Sequence, residues 1–206
     1  RAFQVGLGAG SYRSATQTTD LRPSINDGWE TGVKWKAGAG IEGRLAVWNQ
    51  TASNEFGRKL NDPANSSENV GETERKGVDL EARFKLTEKL GVWGAYSWQK
   101  AKIIKADAAN ASTEGQELDH VPHHLWSLGV DYQYNDAVKL SLWSNGQSDY
   151  YVDRQNLKGK FGDYRLWHLS ASYQVNPTVA LQLQIKNLTN QSYEYVWYDS
   201  SVSPNT

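Results

Sequence analysis

Residues 77–86 read Gly-Val-Asp-Leu-Glu-Ala-Arg-Phe-Lys-Leu, with Val78, Leu80, Ala82, Phe84 and Leu86 alternating against Asp79, Glu81, Arg83 and Lys85. A period of two is the signature of a β-strand, whose successive side chains point to opposite faces. A helix would spread both sets around its surface. One face of this strand is charged and the other apolar, so each needs a different environment. The same alternation recurs in Val179, Leu181, Leu183 and Ile185, and in Trp126, Leu128, Val130, Tyr132 and Tyr134.

Reading the 206 residues for this pattern predicts an all-β antiparallel chain of about nine strands, near 2–13, 29–37, 41–52, 70–86, 90–104, 125–134, 137–151, 163–175 and 178–189. Asn26-Asp27-Gly28 after Pro23 reads as turn chemistry. Gly6, Gly8 and Gly10 resemble a phosphate loop, but no helix pattern follows, and glycines two apart in a strand suit close packing on one face. Tight turns near Gly38, Glu88, Asn135 and Pro177 alternate with long polar segments. Every second connection is therefore short, so one end of the sheet is trimmed and the other decorated. That asymmetry, with strands of roughly 9–11 residues or longer, fits a transmembrane β-barrel.

Composition narrows the classes. No 18-residue apolar run exists in the sequence, which excludes a membrane-spanning helix and leaves barrel strands untouched. A formal charge of −1 gives no basic footprint for nucleic acid, so no nucleic-acid partner is expected. The absence of Cys removes disulfides, thiolate metal sites and cysteine nucleophiles. Nine Trp and eleven Tyr against four Phe match the amphipathic aromatics that collect at membrane interfaces. A soluble, Trp-rich β-sandwich binding carbohydrate would collect them too, and stays open as an alternative. Nine strands imply two open sheet edges, which in lipid cost several kcal/mol for each unpaired backbone group. The chain therefore reads as part of a larger barrel, with Arg1 as an interior start.

Four stretches resemble the TonB-dependent outer-membrane receptor family, of the ferric-siderophore type. Residues 69–98 are similar to the family's Asn, Gly, basic, Gly-Val-Glu-Leu-Glu pattern with its short Leu-Thr turn; residues 121–134 open like its Val-Pro-Arg-His strand. Residues 169–193 carry Asn187-Leu188 and Tyr193, resembling an Asn-Leu-Phe-Asp-x-x-Tyr signature, with Thr189-Asn190 in place of Phe-Asp. Residues 21–35 resemble a Leu-Lys-Pro-Glu segment and the strand after it. The resemblance implies the C-terminal portion, 1–206, of a plugged barrel of about 22 strands, with plug, TonB box and final strand outside the chain. It further implies active transport of a ferric siderophore or similar iron chelate. The partners would be the plug, the TonB complex, the siderophore, and outer-membrane lipid and lipopolysaccharide; no cofactor is implied.

Within that frame, candidate ligand residues on the extracellular loops are Arg58, Lys59, His120, His123, His124, Tyr150, Tyr151, Arg154, Lys158, Trp197 and Tyr198, with Lys160 of the same character. Charge and ring stacking suit an anionic ferric chelate. Asp119, His120, His123 and His124 have metal-ligand chemistry, but the resemblance implies a structural strand opening, so no metal site is assigned. Asp79, Glu81, Arg83 and Lys85 are expected to face the lumen or plug as a ladder of ion pairs. No catalytic residue is expected: G-x-S-x-G, H-E-x-x-H and a phosphate loop are all absent. A small barrel hydrolase using His120 is the remaining alternative.

Overall fold

The computed structural model describes residues 2–4, 21–38, 40–58 and 67–193. One antiparallel sheet of nine strands dominates it, in the order β1-β2-β3-β6-β7-β8-β9-β12-β13. These are β1 (Ala2–Gln4), β2 (Ser24–Ala37), β3 (Ile41–Ser53), β6 (Glu72–Lys85), β7 (Leu90–Lys105), β8 (His124–Gln133), β9 (Val138–Gln147), β12 (Tyr164–Asn176) and β13 (Val179–Ile185). Two small ribbons, β4 (Phe56–Arg58) with β5 (Ser67–Asn69) and β10 (Tyr150–Tyr151) with β11 (Lys160–Phe161), sit in the long connections. Each main strand pairs with its predecessor in the main sheet, so the sheet is an up-and-down meander. A second sheet facing the first, as a sandwich requires, does not occur among the described residues.

The period-two register carries across the sheet. Leu45 opposes Leu80, Leu80 opposes Tyr96, and Tyr96 opposes Trp126. On the other face Arg44 opposes Glu81, Asp79 opposes Ser97, and Asp131 opposes Ser141. The well-exposed large apolar strand residues, among them Val33, Val47, Leu80, Phe84, Leu128, Leu142, Leu181 and Leu183, all fall on the first face. Each would lose about 1.5–3 kcal/mol if held in water rather than an apolar medium. An apolar belt one side chain deep, with polar groups behind it, is the outer surface of a barrel wall.

Short turns close one end of the sheet. Thr87 Oγ1 accepts the Lys89 and Leu90 amides, Asn135 Oδ1 those of Ala137 and Val138, and Asn176 Oδ1 that of Thr178. A side chain thus replaces a backbone acceptor in each turn, which is why these residue types stand there. Four glycines meet a cross-strand Trp directly: Gly43 under Trp35, Gly77 under Trp48, Gly129 under Trp93 and Gly146 under Trp126. A Cβ at Gly129 would lie 2.5 Å from the Trp93 ring. The bare glycine backbone is therefore what lets an indole lie flat against the sheet.

The boundaries differ from the sequence expectation in three places. β2 begins at Ser24, so Asn26-Asp27-Gly28 is strand and not turn; Asn26 to Gly28 pair with Gln50 to Ala52, and ladder bonds outweigh local turn preference. β9 stops at Gln147, where the Ser148 hydroxyl accepts the His123 and His124 amides, and Tyr150–Tyr151 belongs to a separate ribbon. β13 stops at Ile185, because Asn187 takes a positive φ of 52° and its side chain clamps Gln191. The rest of the first expected strand, including Gly6, Gly8 and Gly10, lies outside the described residues.

Candidate ligand-capture end of the barrel wall

The buried core lies at the decorated end. Ile103 and Val152 are fully buried (0% exposed), with Ala101, Leu118 and Tyr150 also buried beneath the loops. Segment 116–118 continues the sheet edge of β7, its backbone bonding Ala101 and Ile103. This lays the 106–123 connection along the end of β7.

Polar side chains then lock the loops together. The Asn156 amide binds the backbone of Glu117 twice, donating to its carbonyl at 2.9 Å and accepting its N–H at 2.8 Å. Asp153 is buried because it accepts the amides of Gln155, Leu157 and Lys158, tying the loop to itself. Arg154, 6% exposed, donates to Glu68 on β5 at 3.2 Å. Asn69, next to Glu68, holds both backbone groups of Arg22, and the Arg22 side chain pairs with Asp107 at 3.0 Å. Connections 54–71, 106–123, 148–163 and the entrance to β2 thus form a closed circuit. Asn69, Glu68, Asp153 and Asn156 were not among the sequence candidates. Asn156 has a positive φ of 58°, a conformation Asn tolerates, and only its turn-forming type hints at the role.

The structure sorts the sequence candidates by environment. Tyr150 and Arg154 are buried, Tyr150 lying over Gly162 with its ring 5.4 Å from that of His120. His120 Nδ1 is 3.1 Å from Asp119, and the His123 Nε2 pairs with Glu117 at 2.9 Å. His124 turns to the apolar face, where its Nδ1 meets the Tyr96 hydroxyl at 2.7 Å. The histidines therefore do not converge, and among the described residues no three His, Asp or Glu are arranged to hold a metal ion. Tyr151 and Lys160 are partners across the β10–β11 ribbon, with the Lys160 ammonium 4.7 Å from the Tyr151 ring centre; Lys160 and, in the connection between the two strands, Lys158 are exposed, and Leu157 at the tip is 79% exposed. The Arg58 side chain, Lys59, Trp197 and Tyr198 lie outside the described residues.

Glu117 is the electrostatic centre of this end. Burial works against its charge, but the hydrogen bond from Lys100, at 3.0 Å, and the positive fields of His123, Lys100 and Lys160 outweigh it. The carboxyl is held below the usual carboxylate range.

On the wet face, Asp79 accepts Trp48 Nε1 at 2.8 Å and the Ser97 hydroxyl at 2.5 Å, Glu81 pairs with Arg44 at 2.5 Å, and Lys85 pairs with Glu88 at 2.7 Å. Arg83 lines an open basin of about 490 Å³ with Lys34, Lys36, Glu42, Arg44 and Glu81. The four charged residues of the diagnostic strand thus share one face, as the alternation requires, though among the described residues only the Arg44–Glu81 ion pair joins them to a neighbouring strand.

The sequence pattern described as TonB dependent receptor-like, beta-barrel, matches residues 1–188. The chain belongs to the TonB-dependent receptor β-barrel family. The metal-pseudopaline receptor CntO of Pseudomonas aeruginosa is 27% identical over 216 residues, covering 94% of this chain and 29% of the receptor. The ferrichrome outer membrane transporter/phage receptor of Escherichia coli is 32% identical over 123 residues, 58% of this chain and 16% of the transporter. In three dimensions the unliganded ferric citrate transporter FecA matches with a TM-score of 0.73 at 23% identity, over 87% of this chain and 29% of that one. The nine-stranded sheet is accordingly a partial TonB-dependent barrel, and the chain spans about a quarter of the length of the curated relatives it matches. Those relatives are named as receptors and transporters.

Proposed function

We propose that this chain is the C-terminal portion of the barrel wall of an outer-membrane receptor that imports a ferric siderophore or a similar metal chelate with TonB-derived energy. The observation that carries the reading is the division of the sheet: an apolar belt on one face, a charged and hydrogen-bonded face behind it, and loops cross-locked at one end only. In this reading further strands of the parent receptor pair with β1 and β13, and a plug fills the lumen against Asp79, Glu81, Arg83 and Lys85. The exposed cations of Lys158 and Lys160 and the half-buried ring of Tyr151 meet the anionic chelate, with Arg58, Lys59, His120, Trp197 and Tyr198 as further loop contacts. The buried Tyr150 and Arg154, and His123 on Glu117, support the loops that present them. Iron is favoured by the relatives named for ferrichrome and ferric citrate, and a metal-pseudopaline relative keeps other metals within the proposal.

The test is uptake of radiolabelled metal chelates by cells that express or lack the parent receptor, with and without functional TonB. Receptor- and TonB-dependent accumulation of one chelate supports the proposal. Accumulation that is indifferent to the receptor across hydroxamate, catecholate and carboxylate chelates of iron, and across chelates of other transition metals, would overturn it.

A further inference from the structure

At the trimmed end of the sheet the wet face carries more cations than its own carboxylates neutralise. Two rows of side chains cross β2, β3, β6 and β7 there in register. In one, Lys34 opposes Arg44, Arg44 opposes Glu81 and Glu81 opposes Ala95; in the other, Lys36 opposes Glu42, Glu42 opposes Arg83 and Arg83 opposes Trp93. Arg44 is engaged by Glu81 at 2.5 Å. Lys34 meets Arg44 as a like charge, which is destabilising across two strands. Lys34, Lys36 and Arg83 are exposed, and among the described residues neither they nor Glu42 form an ion pair. Three uncommitted cations thus surround one carboxylate at the rim of the open basin of about 490 Å³, which Trp93 bounds on one side. The volume lies in the range of small-molecule sites and far exceeds what one carboxylate side chain fills.

The basin is set well apart from the loops. From Trp93 to Lys100, which holds Glu117 of the loop end, is roughly 24 Å along β7. Between Arg44 and Arg75 the wet face of these four strands bears no cation, and Arg75 is committed to Glu55. An anion moving down this wall from the loops therefore meets its next uncommitted positive groups at the basin.

We infer that Lys34, Lys36 and Arg83 form a second, transient binding site for the anionic metal chelate, occupied at the exit end of the lumen after the plug has moved and before release. A concave site of one prevailing charge concentrates an oppositely charged solute. Exposed ammonium groups hold it weakly enough to let it go, as a conducting path requires. The inference rests on the transport function proposed above.

The test uses cells expressing the parent receptor and three radiolabelled iron complexes: ferric citrate and a ferric tricatecholate, both anionic, and an uncharged ferric trihydroxamate. Binding is measured on energy-depleted cells and uptake on energised ones. In Lys34→Gln/Lys36→Gln/Arg83→Gln the Kd and capacity for an anionic complex should be unchanged, while saturated uptake falls on the order of tenfold. Lys34→Arg/Lys36→Arg/Arg83→Lys, which keeps the charge, should keep the rate. Sensitivity to vancomycin, which reports an unseated plug, should stay the same in both. Unchanged uptake in the neutralised receptor would overturn the site and leave the transport reading standing. Equal loss in the charge-keeping receptor, or loss accompanied by vancomycin sensitivity, would overturn it in favour of packing or plug seating. Loss of binding together with uptake would place these cations in capture or assembly and overturn a separate exit site, as would a receptor that takes up the uncharged complex alone. A parent protein that binds none of the three would overturn the site and the ferric-chelate reading together.

Discussion

The loop circuit contains one link out of water and one in it, and removing each should have different consequences. Arg154 and Glu68 have side chains only 7% and 14% exposed, whereas Arg22 and Asp107 are 61% and 42% exposed. Arg154→Ala leaves the Glu68 carboxylate half-desolvated without its cation, a change that costs about 3–5 kcal/mol for a buried pair. The lower end applies here, because Arg154 offers Glu68 one bond of 3.2 Å and its Nη1 is buried without a hydrogen-bond partner among the described residues. About 3 kcal/mol corresponds to roughly a hundredfold in the local opening equilibrium. Amide hydrogen exchange of the parent receptor reads this directly: residues 67–70 and 150–158 should exchange about a hundredfold faster while the strand centres stay unchanged. Arg22→Ala, removing the exposed pair, should stay within about 1 kcal/mol. Arg154→Met combined with Glu68→Leu should recover most of the protection, since no charge is then left buried alone. If Arg154→Ala changes exchange by less than threefold, or only within its own loop, the two connections are not coupled through this pair and the circuit is incorrect.

Leu128→Arg, at mid-strand on the apolar face and opposite Gly94, should lower barrel stability by about 2–4 kcal/mol, whereas Ser127→Arg on the wet face should not; chemical unfolding in lipid vesicles compares them. Gly129→Val places a Cβ 2.5 Å from the Trp93 ring and 2.9 Å from Trp143 Cβ, and should cost at least about 1–3 kcal/mol of overpacking. Gly94→Ala, which meets nothing closer than 3.7 Å, should assemble normally by heat-modified gel mobility. Glu117 has a folded-state pKa below its ordinary value of 4.5, so its contribution is present above that value and is lost as pH falls through the folded one. Exchange of residues 115–118 should therefore rise in acid relative to a Glu117→Gln receptor, which should lack that pH dependence.

The sheet was legible and the loop circuit was not, for reasons that lie in the range of the interactions. A strand's two faces are set by residues two apart, so 77–86 announces its partition locally, and the short turns at Thr87, Asn135 and Asn176 announce themselves by one side chain each. The links that lock the loops join residues 39 to 86 positions apart and follow no period. Arg154 looks the same in sequence as Lys158, four residues on, yet one is buried beneath the β4–β5 ribbon and the other exposed at the tip. Cationic type alone cannot separate a residue that shapes the loops from one that meets a chelate. The histidines show the same limit: 120, 123 and 124 are adjacent in sequence, but strand alternation and the turn at His120, whose φ is 60°, send their rings to Asp119, to Glu117 and to Tyr96. The buried polar residues fix where the loops stand, and in the proposed function substrate choice would fall to the exposed groups at their tips. Substitution at Lys158 or Lys160 should therefore change which chelate is held, while substitution at Asn156 or Arg154 should weaken capture of every chelate alike.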